Sequence, residues 1–154
     1  MIEVNSFFTF LKNCKINFFS GVPDSVLKDT KEIFEKMSDK KHVVAVNEGV
    51  ATSICIGNHL ATGNLPCVYL QNSGLGNAVN PLISVAHKKV YSIPLFLLIG
   101  WRGAPGLKDE PQHIVKGKIT KKLLNNMGIK YCELNNQKDY IKLKKLITFS
   151  KKNK

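Results

Sequence analysis

The 154 residues, 44% of them hydrophobic, suit one compact domain with a real core and leave little room for a second. A formal charge of +12 invites a nucleic-acid reading, but only one of the 23 basic residues, Arg102, is the arginine that base readout favours, so no nucleic-acid partner is expected. The longest apolar run, Ile93 to Ile99, is about seven residues against the roughly 20 that cross a bilayer, and Met1 to Asn5 carries an acid where a secretory leader has bases. No membrane partner is therefore expected, and the cytoplasm is the expected location. Cys14, Cys55, Cys67 and Cys132 form no CxxC pair and no ligand-like spacing with histidine. They read as free thiols, with no metal site on this chain.

In chain order, a first helix is expected over Val4 to Asn13, its core face made by Phe7, Phe8, Phe10 and Leu11. Ile16 to Ser20 reads as a strand, and Gly21-Val22-Pro23-Asp24-Ser25 as a turn. Asp24 or Ser25 is placed to cap the next helix, whose stripe is Val26, Leu27, Ile33, Phe34 and Met37. His42 to Val46 reads as a strand buried on both faces. A helix follows from Glu48 to Thr62, with Gly63 as a left-handed stop. Pro66 to Gln71 is the third strand, followed by the glycine-punctuated Asn72-Ser73-Gly74-Leu75-Gly76-Asn77 and a helix through Ala86. Ile93 to Ile99 is the fourth strand, expected in the middle of the sheet. The loop from Gly100 to Gln112 is rich in Gly, Pro and charge, as functional loops of that size tend to be. A helix at Ile119 to Met127, a strand at Lys130 to Leu134 and a helix from about Gln137 to Phe149 finish residues 1–150 as a single domain. Residues 151–154, Lys-Lys-Asn-Lys, read as a basic solvated tail.

Alternating strands and helices predict an α/β fold: a three-layer α/β/α sandwich with a mostly parallel central sheet. Right-handed crossovers place the loops that follow the strands along one edge, where such sheets bind ligands. Gly21 to Ser25, Asn47-Glu48, Asn72 to Asn77 and Gly100 to Gln112 should therefore converge. Glu48 follows a strand and opens a helix, where free N–H groups and the helix dipole favour a carboxylate. Position alone favours a simple helix-start acid. The segment Asn72 to Asn77 matches neither GxGxxG nor a phosphate-binding GK[ST] loop, and its glycines indicate only a sharp turn or close backbone approach. His113 is read as a loop histidine, either catalytic or merely exposed. His42, His59 and His87 read as structural. Arg102 carries a planar fork suited to a tetrahedral oxyanion, or else to an ion pair with Asp109 or Glu110. Trp101 can serve as a packed cover for the same loop.

The segments GVPDS (Gly21 to Ser25), NEG (Asn47 to Gly49), HLATG (His59 to Gly63), YLQNSGLGNAVNPL (Tyr69 to Leu82), YSIPLFLLIGWRG (Tyr91 to Gly103) and KDEPQH (Lys108 to His113), in this order and spacing, resemble the N-terminal domain of thiamine-diphosphate-dependent 2-oxoacid decarboxylases of the phosphonopyruvate branch. The resemblance covers most of residues 16 to 130. It implies the pyrimidine-binding domain fold and a carbon-carbon lyase that converts 3-phosphonopyruvate to phosphonoacetaldehyde and CO2. The related sulfopyruvate decarboxylase α subunit is the alternative, and a non-catalytic detached cofactor-binding domain is a third reading. Glu48 stands at the family's glutamate, which hydrogen-bonds the aminopyrimidine ring and helps activate the cofactor. By the same resemblance, Glu48 and His113 are the catalytic candidates, and Pro23, Gly74 and Leu75 join Glu48 as cofactor contacts. Asp24, Ser25, Asn72, Ser73 and Arg102 are the substrate-side candidates. The family's Gly-Asp-Gly element, which binds diphosphate and Mg2+, is absent from this chain. The expectation is a partner subunit that carries it, with activity only in the complex.

Overall fold

The computed structural model describes residues 2–152. Among these residues six α-helices and four strands follow in the order α1 (Val4–Asn13), β1 (Phe19–Gly21), α2 (Lys31–Glu35), β2 (His42–Val44), α3 (Glu48–Thr62), β3 (Cys67–Gln71), α4 (Leu75–Pro81), β4 (Phe96–Gly100), α5 (Pro111–Asn126) and α6 (Tyr140–Lys152). A π-helical turn, Leu82–Ala86, continues α4 past its internal proline, which cannot donate to the ladder. All strand pairs are parallel, in the order β2-β1-β3-β4. The three-layer α/β/α expectation holds.

The pleat explains the layers. Cys67 and Tyr69 of β3 face a core built with Phe7 and Leu11 of α1, Phe34 of α2 and Leu143 and Ile147 of α6. Val68 and Leu70, one residue out of phase, face Ala51 and Cys55 of α3, Leu75 and Ala78 of α4 and Leu124 of α5. Side chains alternate with period two in a strand, so one short central strand seeds both cores. Its neighbour β1 comes close enough that Gly21 has no space for a side chain: a Cβ there would lie 2.1 Å from the carbonyl oxygen of Tyr69.

Several elements depart from the sequence expectation. The strand at His42 is not buried on both faces. It is an edge strand, with Val44 58% exposed and Val46 beyond its end. The fourth strand is likewise at an edge rather than in the middle. The run expected as a fifth strand, Lys130 to Leu134, forms no ladder, and residues 129–135 instead line an apolar cavity of about 840 Å3 together with β4 and α6. A period-two pattern makes a segment extended, but only tertiary packing supplies its partner. The helix after Asp24 shrinks to a 3-10 turn (Lys28–Thr30) and the five residues of α2, without a side-chain cap from Asp24 or Ser25. α5 begins eight residues before the expected start because Pro111 can open a helix where its missing N–H costs nothing.

Other expectations hold. α1 has the expected bounds, α3 ends at Gly63 with φ of 70°, and the four cysteines are free. α6 continues through Lys152, and Lys151 Nζ donates to the Cys14 carbonyl at 2.5 Å, so half of the expected tail is helix. Asn153 and Lys154 lie outside the described residues. Among those described, no helix is long and apolar enough to cross a membrane.

Candidate active site at the carboxyl edge of the sheet

Because every strand runs the same way, Gly21, Val44, Gln71 and Gly100 all end on one edge. The chain steps from β1 outward to β2, then returns past β1 to β3. This makes the crevice between the ends of β1 and β3 the switch point, the position where open parallel sheets bind ligands. Pro23 is exposed on the β1 side of it, and Gly74 is buried on the β3 side.

Glu48 reaches this edge from the first turn of α3. Asn47 caps the helix by accepting from the Val50 amide at 2.9 Å, which frees the Glu48 side chain from capping duty. The carboxylate is half-buried and crosses to the segment after β3. There Oε2 accepts from Asn77 Nδ2 at 2.8 Å, and Oε1 has no hydrogen bond among the described residues. Gly74 makes this path: a Cβ at that position would stand 2.0 Å from Glu48 Oε1. One oxygen is thus steadied and one remains available, which suits a group that must bond a ring nitrogen. An aminopyrimidine fits this end of the site. Leu75 is fully buried in the core, so any cofactor contact from it comes through its backbone at the start of α4.

The other corner lies at the end of β4. Arg102 donates from Nε to Asp109 Oδ2 at 2.8 Å, from Nη2 to Asp109 Oδ1 at 2.6 Å, and from Nη1 to Ser25 Oγ at 2.8 Å. Asp109 also accepts from the amides of Gly103 and Glu110, each at 2.9 Å. The hydrogen bonds from Arg102 hold its carboxyl far below the usual carboxylate range. The ion-pair reading of Arg102 holds, with Asp109 as the partner, and the side chain stands at the carboxyl edge. Asn72 is 5% exposed and donates to the Arg102 carbonyl at 3.0 Å and to Thr120 Oγ1 at 2.9 Å, while its Oδ1 accepts from the Arg102 amide at 3.0 Å. With its amide committed to protein groups, Asn72 acts on the edge by fixing the Arg102 backbone. Ser73 is half-buried and accepts from Gln71 Nε2 at 2.7 Å.

Asp24 has an unusual setting. Its carboxyl rests on Gly100, where a Cβ would be within 1.8 Å of Oδ2, and among the described residues neither oxygen has a hydrogen-bond partner within reach although both are sealed from solvent. Burial pushes its pKa up, against weaker lowering by the nearby amides of Val26 and Leu27 and by the charge of Arg102. His113 lies in the first turn of α5, not in a loop. Its ring is half-buried without a hydrogen bond among the described residues, and its backbone carbonyl packs against Gly103. Trp101 does cover the loop, donating to the Gly117 carbonyl at 3.0 Å with Lys121 Nζ 4.8 Å from its ring centroid. His42 and His59 are occupied structurally, bonding Tyr69 and the Asn64 carbonyl. Asn77 and Thr120 were not singled out from sequence, whereas Asp109 was expected only as a possible ion-pair partner of Arg102. Asn77 and Asp109 lie inside the informative segments, whereas Thr120 carries no sequence signal and is recruited by the fold.

Residues 4–132 match the family described as "Thiamine pyrophosphate enzyme, N-terminal TPP binding domain", and the chain belongs to that family. It is 44% identical over 108 residues to the phosphonopyruvate decarboxylase of Streptomyces viridochromogenes, covering 69% of this chain and 26% of that protein. It is 34% identical over 116 residues to the sulfopyruvate decarboxylase subunit alpha of Methanococcus maripaludis, covering 75% and 67% respectively. The benzoylformate decarboxylase structure from Polynucleobacter necessarius shares the fold, with a TM-score of 0.54 at 24% identity over 66% of this chain and 19% of that one. The chain thus spans 26% to 29% of the length of the phosphonopyruvate decarboxylases it matches.

Proposed function

We propose that this chain is the pyrimidine-binding part of a cytoplasmic, thiamine-diphosphate-dependent 2-oxoacid decarboxylase, a carbon-carbon lyase acting on 3-phosphonopyruvate. The observation that carries this reading is Glu48 at the carboxyl edge, with one carboxylate oxygen steadied by Asn77 and the other beside Gly74 without a hydrogen bond among the described residues. When bound, the cofactor supplies the electron sink that lets CO2 leave. Glu48 contributes a carboxylate able to hold a proton at Oε1 on the aminopyrimidine side. Pro23 and the backbone at Gly74 and Leu75 shape the walls around that ring. Ser25, Ser73 and Arg102 form the substrate side, with Asn72 holding the Arg102 backbone and Asp24 packed behind them, its oxygens sealed from solvent. His113 is available as a further proton-carrying group because its ring has no hydrogen-bond partner among the described residues.

The reading requires a second polypeptide, or a second domain, that carries the Gly-Asp-Gly element and holds the diphosphate and Mg2+. Sulfopyruvate is the second substrate to test, because the α subunit relatives match this chain over two thirds of their own length. Both substrates pair a 2-oxoacid with a tetrahedral anion, which suits Arg102 and Ser25. The test is reconstitution with a protein supplying the diphosphate-binding domain, followed by CO2 release from 3-phosphonopyruvate and sulfopyruvate. Turnover that requires both components and thiamine diphosphate supports the proposal. A reconstituted complex that binds the cofactor and decarboxylates neither substrate defeats it.

A further inference from the structure

The proposed substrates carry two anionic ends, and the structure offers a way to hold the one that does not react. Arg102 projects from the end of β4 while Ser25 belongs to the loop after β1, so their hydrogen bond spans the end of the intervening β3. Unsupported, an arginine at that edge samples many rotamers, and ordering it on binding would cost affinity. Here Asp109 removes that freedom. It takes the Nε and Nη2 edge of the guanidinium in a two-point contact. Its own position is set by two backbone amides, those of Gly103 and Glu110, one and eight residues along from the arginine it holds.

An arginine has five N–H groups, and three of these are donated to Asp109 and Ser25, which leaves one on each Nη. The Arg102 side chain is 28% exposed and that of Asp109 13%, so Asp109 is the more shielded partner and Arg102 keeps some access to solvent. We propose that Asp109 is a positioning residue that locks Arg102 so its two free N–H groups, with the Ser25 hydroxyl, receive the tetrahedral phosphonate or sulfonate of the substrate. This rests on the decarboxylase reading and deepens it by assigning the selective contact to the non-reacting end. Asp24 and Glu110 also face this fork electrostatically. Asp109 does not simply cancel Arg102, because its charge is shared among four donors, two of them amides. Asp24 is driven toward its neutral form by burial, which limits repulsion of an incoming anion.

The chain has a single arginine, so its guanidinium NMR signals belong to one residue. In the full chain labelled with 15N-arginine, a locked Arg102 gives separate Nη proton resonances and a protected Nε–H. Asp109→Asn should collapse these into an averaged signal, and Asp109→Glu should restore them in part. Phosphonoacetate and sulfoacetate, which keep the tetrahedral anion but lack the keto group, serve as binding probes, with acetate as the control. Wild type should bind both probes in preference to acetate, and Asp109→Asn should weaken them by about tenfold, the size of one charge-assisted hydrogen bond. In the reconstituted enzyme the same variant should raise KM about tenfold with a smaller fall in kcat, and Asp109→Glu should recover part of the KM. A residue that only holds the loop together would instead lower the thermal midpoint and kcat without this recovery. Averaged Arg102 signals in wild type, or equal probe affinity in wild type and Asp109→Asn, would overturn the inference. Probe binding and a locked Arg102 in a complex without decarboxylase activity would leave the anion receptor standing and remove the decarboxylase reading alone.

Discussion

The two corners of the carboxyl edge treat their charged groups in opposite ways. Glu48 makes one side-chain hydrogen bond and keeps an oxygen open, whereas Asp109 accepts four and keeps nothing open. A carboxylate that must exchange a proton needs an unsatisfied position, and one that must aim a neighbour gains from having none. The glycines follow the same division. Gly74 gives way to the Glu48 carboxylate, and Gly100 gives way to Asp24, the buried acid that has no partner.

The largest effect should come from the open corner. Glu48→Gln keeps the shape and the Asn77 contact but cannot share the proton, so CO2 release should fall by about 100-fold or more, with assembly and cofactor retention unchanged by gel filtration. Turnover near wild type would show that the open oxygen has no chemical role. Gly74→Ala attacks the same corner by space alone. The added Cβ displaces Glu48, and misplacement of a reacting group by about 1 Å can cost about 100-fold in kcat. A crystal structure of that variant with Glu48 in its original place and full activity would contradict this account.

At the saturated corner the effects should be smaller and differently distributed. Asn72→Ala removes the hydrogen bonds that hold the Arg102 amide and carbonyl, which should cost about 2 to 3 kcal/mol in urea unfolding. Arg102→Lys replaces a fork with a point charge. It should raise substrate KM by about tenfold, as for loss of one charge-assisted hydrogen bond, while isothermal titration finds thiamine diphosphate affinity unaltered. An equal loss of cofactor affinity would merge the two corners into one site.

The smallest effect tests Asp24. Burial raises its folded pKa above the unfolded value, so its contribution to stability is fully present below the unfolded pKa and declines as pH rises through the folded one. Asp24→Asn should therefore raise the melting temperature at pH 7, and that gain should shrink as pH falls through the ordinary carboxylate range. Lower activity together with higher stability would mark Asp24 as a site residue kept at a cost to the fold. Asp109 has the opposite sign. Its folded pKa is depressed by Arg102, so its contribution is retained above the unfolded pKa and lost only under strong acid.

Much of this was legible from residue order. Val4 to Asn13, Glu48 to Thr62 and Gly63 declare themselves through helical spacing and a stop that a left-handed φ requires. The alternation of elements fixed a parallel sheet and therefore the edge where Pro23, Glu48, Gly74 and Arg102 gather. Local pattern carries such information because side-chain direction depends on a few neighbouring dihedrals. It could not order the strands, which is why β2 and β4 were expected in the interior and are edges. Nor could it say that residues 130–134 would find no ladder, since a strand needs a partner from elsewhere in the chain. The same limit separates the two readings of Arg102. Its chemistry was plain from its identity, but its pairing with Asp109 and Ser25, and the tie from Asn72 to Thr120, depend on contacts between segments 7, 77 and 48 positions apart. Only folding brings such groups within the 3 Å over which a hydrogen bond acts.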